Sequence, residues 1–226
     1  MLDTALVVMA RYPEAGTTKT RLARTIGDEA AVHLYRAFLT DLAMRFAGES
    51  CGAALHWNYT PPEVDFRAFV ATLSPTQTPN MHCFPQRGAD FGARMHAAFQ
   101  WTRAHGFKHT ILIGSDSPHI RLEAVSQARA ALDEADVVLG PAEDGGYYLI
   151  AMREPHDLFS GIPMSTRSVL EMTIAAARRQ GLTTRLLEPL FDIDELPDLL
   201  RLARLLEVQR DLAPVTADHL NIHEYT

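Results

Sequence analysis

Short apolar runs alternate along the chain with longer stretches in which apolar residues recur every three or four positions. A short continuous run is typical of a strand buried on both faces, and the longer period is typical of an amphipathic helix. The runs predict strands at residues 5–10, 53–59, 81–84, 110–114, 136–140, 147–152 and 182–187. The periodic stretches predict helices at residues 28–46, 90–103, 122–132, 165–179 and 196–206, and the second of these places Phe91, Met95, Ala98 and Phe99 on one face.

This alternation predicts a three-layer α/β/α fold, in which a mostly parallel central sheet carries helices on both faces. Neither a linker nor a charge run divides the 226 residues, so residues 1–226 are expected to form a single domain. Ligands of such sheets gather at the carboxyl ends of the strands. The residues that follow each predicted strand are therefore the first place to look for chemistry.

Composition narrows the possible partners. The net charge of −7 and the pI near 5.8 argue against nucleic acid, because affinity for phosphate chains comes largely from Lys and Arg. Cys51 and Cys83 form no CxxC pair, which predicts reduced thiols in a cytoplasmic protein. The first residues lack the basic start of a signal peptide, and every apolar run is shorter than the ~18 residues that predict a membrane helix. We expect a cytoplasmic protein without nucleic-acid or membrane partners.

The loop after the first predicted strand carries three cations, Arg11, Lys19 and Arg21, together with Gly16. It fails the P-loop pattern GxxxxGK[ST], since Thr18 stands where the second glycine belongs. A turn-rich loop of this kind can still hold a diphosphate or triphosphate through backbone N–H groups and charge-assisted hydrogen bonds. The alternative is a solvated loop with a helix-capping threonine.

Carboxylates follow later strands. Asp116 ends a strongly apolar run after Ser115, and Asp144 precedes Gly145 and Gly146 after the next run. Such oxygens suit Mg²⁺ or Mn²⁺, which bind few protein carboxylates and complete their shell with substrate phosphates. Each motif also has a plainer interpretation, because Asp-x-Pro can cap a helix and paired glycines can simply make a turn.

The last acidic motif is Asp192-Ile193-Asp194. Its two carboxylates alternate along an extended segment, so only one is expected to reach the same metal as Asp116, and Asp194 is favoured. Helix capping is the alternative here as well. The ten histidines are scattered without zinc-site spacing.

These segments together resemble the nucleotide-diphospho-sugar transferase superfamily, which has the Rossmann-like glycosyltransferase-A fold. Within it the chain is most similar to a bacterial group of uncharacterised glycosyltransferases sometimes named for arsenosugar biosynthesis, and more distantly to 2-phospho-lactate guanylyltransferases. The resemblance lies in residues 19–23, 86–95, 113–118, 140–149 and 192–194. One departure is the segment Tyr12-Pro13-Glu14-Ala15-Gly16, where nucleotidyltransferases of the superfamily have a tighter GxGxR loop.

The resemblance implies roles for individual residues. Arg11, Lys19 and Arg21 would contact phosphates, Gln86 and Gly92 would belong to a base-reading loop, and Asp116 with Asp194 would hold Mg²⁺ or Mn²⁺. The expected nucleotide-binding set is completed by Gly16, Ser115, Gly145 and Gly146. Lys19, Arg21, Asp116 and Asp144 are the expected catalytic residues, Asp144 by its position alone.

The sequence thus predicts a metal-dependent transferase, most simply a glycosyltransferase that moves a sugar from a nucleotide-sugar donor to a small-molecule acceptor. The first alternative is a nucleotidyltransferase that uses a nucleoside triphosphate and releases pyrophosphate. The second alternative is a nucleotide-binding protein without catalytic activity.

Overall fold

A computed structural model describes residues 2–47, 52–73, 82–164 and 166–220. Within these ranges the chain forms seven strands and eight α-helices. The strands are β1 (Thr4–Arg11), β2 (Ala54–Thr60), β3 (His82–Pro85), β4 (His109–Gly114), β5 (Val137–Pro141), β6 (Tyr147–Met152) and β7 (Thr184–Leu186). The helices are α1 (Thr20–Ile26), α2 (Asp28–Arg45), α3 (Phe66–Leu73), α4 (Phe91–Ala104), α5 (Leu122–Ala131), α6 (Val169–Arg179), α7 (Leu196–Val208) and α8 (Pro214–His219).

The predicted elements are present, with bounds that differ by a few residues. Ser165, the first residue of one predicted helix, and Met81, the first of one predicted strand, lie outside the described ranges. Three short helices, α1, α3 and α8, were not predicted, because segments of six to eight residues are too short to show a helical period clearly. In the part of the chain that the structure describes, no helix combines the length and the apolar character that a membrane span requires.

The seven strands form one sheet in the order β3-β2-β1-β4-β6-β5-β7. Strand β1 is central and pairs in parallel with β2 and β4, whereas β6 runs antiparallel to both β4 and β5. The sheet is therefore mixed, and the prediction of a mostly parallel sheet is wrong. The reason is the short connection between β5 and β6, residues 142–146, since parallel neighbours need a crossover of about a dozen residues or more.

Helices cover both faces of the sheet, as the three-layer prediction requires. Alternate residues of β1 point to opposite faces, so Leu6 and Val8 pack in one apolar cluster and Val7 and Met9 in another. Helices α2, α5 and α7 contribute to the first cluster, and α4 and α6 contribute to the second. This burial on both faces explains why β1 is apolar along almost its whole length.

A half-buried arginine fixes the loop that follows β4. The Arg45 guanidinium, at the end of α2, donates to the carbonyl oxygens of Pro118 at 2.6 Å and Ile120 at 2.8 Å, and also to that of Leu212. These bonds tie the loop to α2 and to the carboxyl-terminal part of the chain. The loop carries Ser115 and Asp116, so the strand end where a ligand is expected is held firmly.

Candidate active site

A compact turn delivers Lys19 to the carboxyl edge of the sheet. The N–H groups of Thr17 and Thr18 donate to the Glu14 carbonyl oxygen at 3.2 and 3.1 Å, and the buried Thr18 hydroxyl accepts from the Glu14 N–H at 2.8 Å. Lys19 then precedes α1 in the left-handed conformation, with φ of 47°. A side chain in this region costs roughly 1–2 kcal/mol, and such strain is found mostly at functional positions.

The Lys19 ammonium lies between two carboxylates. Its Nζ atom is 2.7 Å from Asp116 Oδ1 and 3.2 Å from Asp194 Oδ1, and its side chain is only 6% exposed. Arg21, which is 60% exposed, donates from Nη2 to the other Asp194 oxygen at 2.7 Å. We call Asp116 and Asp194 the carboxylate pair. Four residues predicted to bind phosphate or metal, from three distant parts of the sequence, thus converge at one point.

Charge balance keeps Lys19 ionised. Burial alone lowers the pKa of its ammonium, but the attraction of Asp116 and Asp194 outweighs burial, so the pKa lies above its ordinary value. Lys19 is therefore a fixed positive charge at neutral pH. A buried charge flanked by two carboxylates at the edge of a cavity is typical of a functional site.

Asp192 has a different partner from Asp194. Its Oδ1 accepts a hydrogen bond from the Ser117 hydroxyl at 2.6 Å, while the Ile193 N–H donates to the Asp116 carbonyl oxygen at 3.1 Å. Burial, helped by the nearby carboxylates of Asp116, Asp144 and Asp194, raises the pKa of Asp192 to about 6, although the Ser117 hydrogen bond lowers it. The two aspartates of this motif thus face different partners, as alternation along an extended segment predicts.

A cavity of about 330 Å³ opens above Lys19. It brings together most of the predicted site residues, namely Arg11, Lys19, Arg21, Gln86, Ser115, Asp116 and Asp194. The other predicted residues lie outside its lining, namely Gly16, Gly92, Asp144, Gly145 and Gly146.

Four of the five residues outside the cavity have close contacts within the fold, and Gly16 is the exception. Gly92 lies at the start of α4, where a Cβ would be 3.0 Å from Phe159 Cβ. At Gly145, with φ of +94°, a Cβ would overlap the carbonyl oxygen of Arg167, so this glycine lets two backbones approach. Asp144 accepts from the Gly146 N–H at 2.8 Å, which closes the turn between β5 and β6. Contacts of these residues with a ligand stay predictions.

Gln86 is held in a fixed orientation. Its side-chain nitrogen donates to the carbonyl oxygens of Asn58 at 3.1 Å and Ala10 at 3.4 Å, which lie near the carboxyl ends of the neighbouring strands β2 and β1. These bonds use the donors of the amide and leave its carbonyl oxygen as the remaining hydrogen-bonding group. Gln86 would therefore accept a hydrogen bond from a ligand in the cavity.

The cavity lining also contains residues that were not predicted as site residues, among them Tyr35, Phe91 and Arg94. The buried Tyr35 hydroxyl of α2 lies 2.7 Å from Ser115 Oγ and accepts from the Arg11 N–H at 3.1 Å. Burial raises the pKa of Tyr35, so its hydroxyl is neutral at neutral pH. Phe91 and Arg94 of α4 also line the cavity, and Phe91 is 48% exposed although its spacing predicts a buried position. Tyr35 and Phe91 follow the apolar period of their helices, so no local signal distinguishes them.

The carboxylate pair suits a hard divalent cation. Both aspartates already contact one positive charge, and Mg²⁺ commonly takes one or two protein carboxylates plus substrate phosphate oxygens. No group of three or more His, Cys, Asp or Glu side chains in the described ranges could hold a metal ion. A metal at this edge would thus depend on Asp116, Asp194 and oxygens from a substrate.

Comparison with solved structures and protein families shows which known proteins this chain resembles. The chain is similar to a crystal structure from Desulfovibrio desulfuricans G20 that is provisionally described as a nucleotide-diphospho-sugar transferase, with 32% sequence identity over 100% of this chain and 99% of the other and a TM-score of 0.89. The predicted resemblance to that superfamily is confirmed for the fold. The chain belongs to the DUF2064 family, described as an uncharacterized protein conserved in bacteria, whose profile matches residues 51–166.

More distant structures share the fold alone. The inositol-1-phosphate CTP transferase from T. maritima has a TM-score of 0.57 at 13% identity, over 93% of this chain and 96% of that one. The 4-diphosphocytidyl-2C-methyl-D-erythritol synthase from Anaerococcus prevotii DSM 20548 has a TM-score of 0.56 at 8% identity, over 90% and 96% of the two chains. No curated protein matches the chain. The links to arsenosugar biosynthesis and to guanylyltransferases stay predictions.

Proposed function

We propose that this protein is a divalent-metal-dependent transferase that acts on a nucleotide-activated substrate, with a nucleotide sugar as donor and a small molecule as acceptor. The observation that carries the proposal is the buried Lys19 ammonium between Asp116 and Asp194 at the edge of a cavity with further cations. A diphosphate and a metal ion need this combination of charges in one place. The description of the Desulfovibrio relative supports the same class of reaction.

The cations of the cavity would bind the diphosphate. Lys19, Arg21 and Arg11 line one cavity and offer charge-assisted donors to phosphate oxygens. Because these charges are held before the reaction begins, they stabilise the negative charge that develops on the leaving diphosphate. Mg²⁺ or Mn²⁺, held by Asp116 and Asp194, would supply Lewis-acid stabilisation of the same charge.

The opposite part of the cavity would hold the nucleoside. Gln86 offers a fixed acceptor for an N–H group of the base, and Phe91 exposes an aromatic face beside it. Arg94 adds a cation to this side. Gly16, Ser115, Gly145 and Gly146 remain proposed nucleotide contacts, and Ser115 is the one of these that reaches the cavity lining.

Asp144 remains the proposed general base. It lies outside the cavity lining, but its charge acts on Asp192 at the same edge of the sheet. An acceptor activated by Asp144 would therefore approach from the turn between β5 and β6. This route would separate the acceptor from the nucleoside side of the cavity.

Nucleotidyl transfer is the second candidate, because three cations that face one cavity would equally hold a triphosphate. The experiment begins with a thermal-shift screen of nucleotides and nucleotide sugars with and without Mn²⁺, since a ligand that binds the native state raises the melting temperature. Product analysis on the best ligand then decides. Released nucleoside diphosphate supports glycosyl transfer, released pyrophosphate supports nucleotidyl transfer, and neither product indicates a binding protein.

A further inference from the structure

We propose that the Lys19 ammonium and the divalent cation compete for the carboxylate pair, so that the free protein excludes the metal until a phosphate group draws Lys19 away. This inference rests on the proposed function, because it takes Asp116 and Asp194 as the metal ligands. It goes further by assigning to Lys19 the control of metal occupancy. Lys19 would thus be an internal cation that a substrate exchanges for a metal ion.

The Lys19 ammonium occupies the carboxylate oxygens that the divalent metal ion would use. Lys19 Nζ lies 2.7 Å from Asp116 Oδ1, a distance typical of a charge-assisted hydrogen bond, and 3.2 Å from Asp194 Oδ1. A magnesium ion would need carboxylate oxygens at about 2.0–2.1 Å. It cannot take the two Oδ1 oxygens while the ammonium remains between them.

Metal binding to the other oxygens of the carboxylate pair is also opposed. Asp194 Oδ2 already accepts from Arg21 at 2.7 Å, so this aspartate faces a cation on each oxygen. A metal ion bound to Asp116 alone would lie close to the Lys19 ammonium, and the two positive charges would repel each other. Metal binding to the free protein is therefore opposed by Lys19.

Lys19 has the means to move. Its charge is a point charge on a flexible four-carbon stem, and the cavity above it also contains Arg11 and Arg21. A phosphate group in this cavity would give the ammonium a new anionic partner. The carboxylate pair would then be free to hold the metal ion.

If Lys19 competes with the metal, a change at Lys19 should shift the affinities for metal and for phosphate in opposite directions. Removal of the Lys19 charge should tighten the binding of metal to the free protein, although the same change weakens the binding of phosphate. General damage to the site would weaken both. The direction of the change in metal affinity therefore distinguishes competition from a loss of structure.

The chain provides a matched control, because its only other lysine is Lys108. Lys108 also pairs with an aspartate, with Nζ at 3.7 Å from Asp3 Oδ2, but its side chain is 71% exposed. It precedes β4, whereas Asp116 follows β4, so the two lysines lie at opposite ends of that strand. Lys108→Met changes the net charge as Lys19→Met does and leaves the carboxylate pair untouched.

The decisive experiment is titration calorimetry of Mn²⁺ alone into the parent, Lys19→Met and Lys108→Met. We expect the Mn²⁺ affinity of Lys19→Met to exceed that of the parent about tenfold or more, and that of Lys108→Met to stay within about twofold of the parent; by the usual conversion, tenfold corresponds to about 1.4 kcal/mol. Equal or weaker Mn²⁺ binding by Lys19→Met would overturn the inference.

A second measurement needs no variant. The ¹⁵N signals of the two lysine ammonium groups are followed in the parent while Mg²⁺ is added with inorganic pyrophosphate, and Lys108 serves as the internal reference. We expect the Lys19 signal to shift and the Lys108 signal to stay in place. An unmoved Lys19 signal at saturating Mg²⁺ and pyrophosphate would contradict the inference even if Lys19→Met failed to fold.

The outcomes separate this inference from the proposed function. If pyrophosphate promotes Mn²⁺ binding to the parent but Lys19→Met binds free Mn²⁺ no more tightly, competition is wrong and the metal-dependent transferase stands. If the parent binds no Mn²⁺ with pyrophosphate or with any nucleotide from the thermal-shift screen, the proposed function and the inference fall together.

Discussion

A lysine contacts aspartate at each end of the sheet, but the lysine is buried at one end and exposed at the other. At the carboxyl end, Lys19 is buried between Asp116 and Asp194 beside a cavity, and at the amino end the exposed Lys108 lies 3.7 Å from Asp3. An exposed pair of this kind contributes little to stability. A buried ammonium has to be compensated by close carboxylates, and a fold gains no obvious stability from that arrangement. The difference in burial therefore supports the proposal that the active site lies at the carboxyl end.

The aspartates at the two ends differ as well. At the amino end, Asp136 accepts from the Thr183 N–H at 2.9 Å, from the Thr183 hydroxyl at 2.7 Å and from Arg153 at 3.0 Å. Asp116, by contrast, contacts one cation and is 48% exposed. A carboxylate whose hydrogen bonds are satisfied within the fold has a structural role. One that retains free lone pairs at a cavity is available to a ligand.

The largest expected effect is that of Asp116→Asn on transfer activity. The substitution keeps the shape of the side chain but removes the charge that holds both Lys19 and the proposed metal. Loss of metal stabilisation costs several kcal/mol, so activity should fall roughly 100-fold or more. Asp194 still faces the buried Lys19 ammonium in this variant, so the protein should fold, with a lower melting temperature without ligand. Initial rates and thermal melts on the same preparations measure both quantities.

Two further asparagine variants show whether this loss is specific to the carboxyl end. Asp136→Asn should retain the activity of the parent, since Asp136 precedes β5 at the other end of the sheet. The activity of Asp144→Asn should lie between those of Asp116→Asn and Asp136→Asn, because Asp144 lies at the carboxyl edge of the sheet but outside the cavity lining. Full activity in Asp116→Asn, or equal losses in all three, would remove the functional distinction between the two ends.

The second expected effect concerns nucleotide affinity. Lys19→Met should weaken the binding of the best nucleotide from the screen by one to two decades, since a charge-assisted contact to phosphate contributes roughly 1.5–3 kcal/mol. Lys108→Met should bind as the parent does. Titration calorimetry with matched buffers measures both variants. Unchanged affinity in Lys19→Met would place the phosphate away from the carboxylate pair.

The convergence of these residues could be predicted from the sequence because the rule behind it is topological. Apolar runs identified the strands, and the carboxyl ends of parallel strands share an edge, so Lys19, Asp116 and Asp194 were expected to meet. Their separation by up to 175 positions did not hide this. The prediction of a mostly parallel sheet failed at β6, because the apolar run at residues 147–152 does not indicate in which direction the strand runs. The short connection before it was the available clue.

Other features depend on tertiary contacts that no local pattern contains. Tyr35 and Phe91 follow the period of their helices, and only the folded chain shows that both line the cavity. Gly145 was predicted to approach a ligand because it lies beside Gly146. The structure shows that the same freedom is used against the backbone of Arg167, which is distant in sequence. A glycine pair signals a close approach without identifying what approaches.

The third effect tests that turn, which shares the carboxyl edge with the carboxylate pair. Gly145→Ala adds a Cβ that overlaps the Arg167 carbonyl oxygen, whereas Gly16→Ala adds one with nothing within 4 Å. Both positions have positive φ, so both variants carry the same backbone penalty of roughly 1–2 kcal/mol. The overlap should cost Gly145→Ala a further 1–3 kcal/mol or so. Urea denaturation compares the free energies of unfolding, and equal losses would show that the turn relaxes freely.

The smallest effect is a pH dependence at the amino end of the sheet. The Thr183 N–H, the Thr183 hydroxyl and Arg153 lower the pKa of Asp136 to about 2. The native state therefore keeps Asp136 ionised where the unfolded chain is already protonated, so this contribution to stability is present above about pH 4 and is lost as the pH falls towards 2. Solvent screening at a surface site reduces it to about 1 kcal/mol. Urea denaturation of the parent and Asp136→Asn should show a gap in unfolding free energy at pH 7 that closes in this window. A gap that persists at pH 2 would mean that Asp136 acts through the shape of its contacts rather than through its charge.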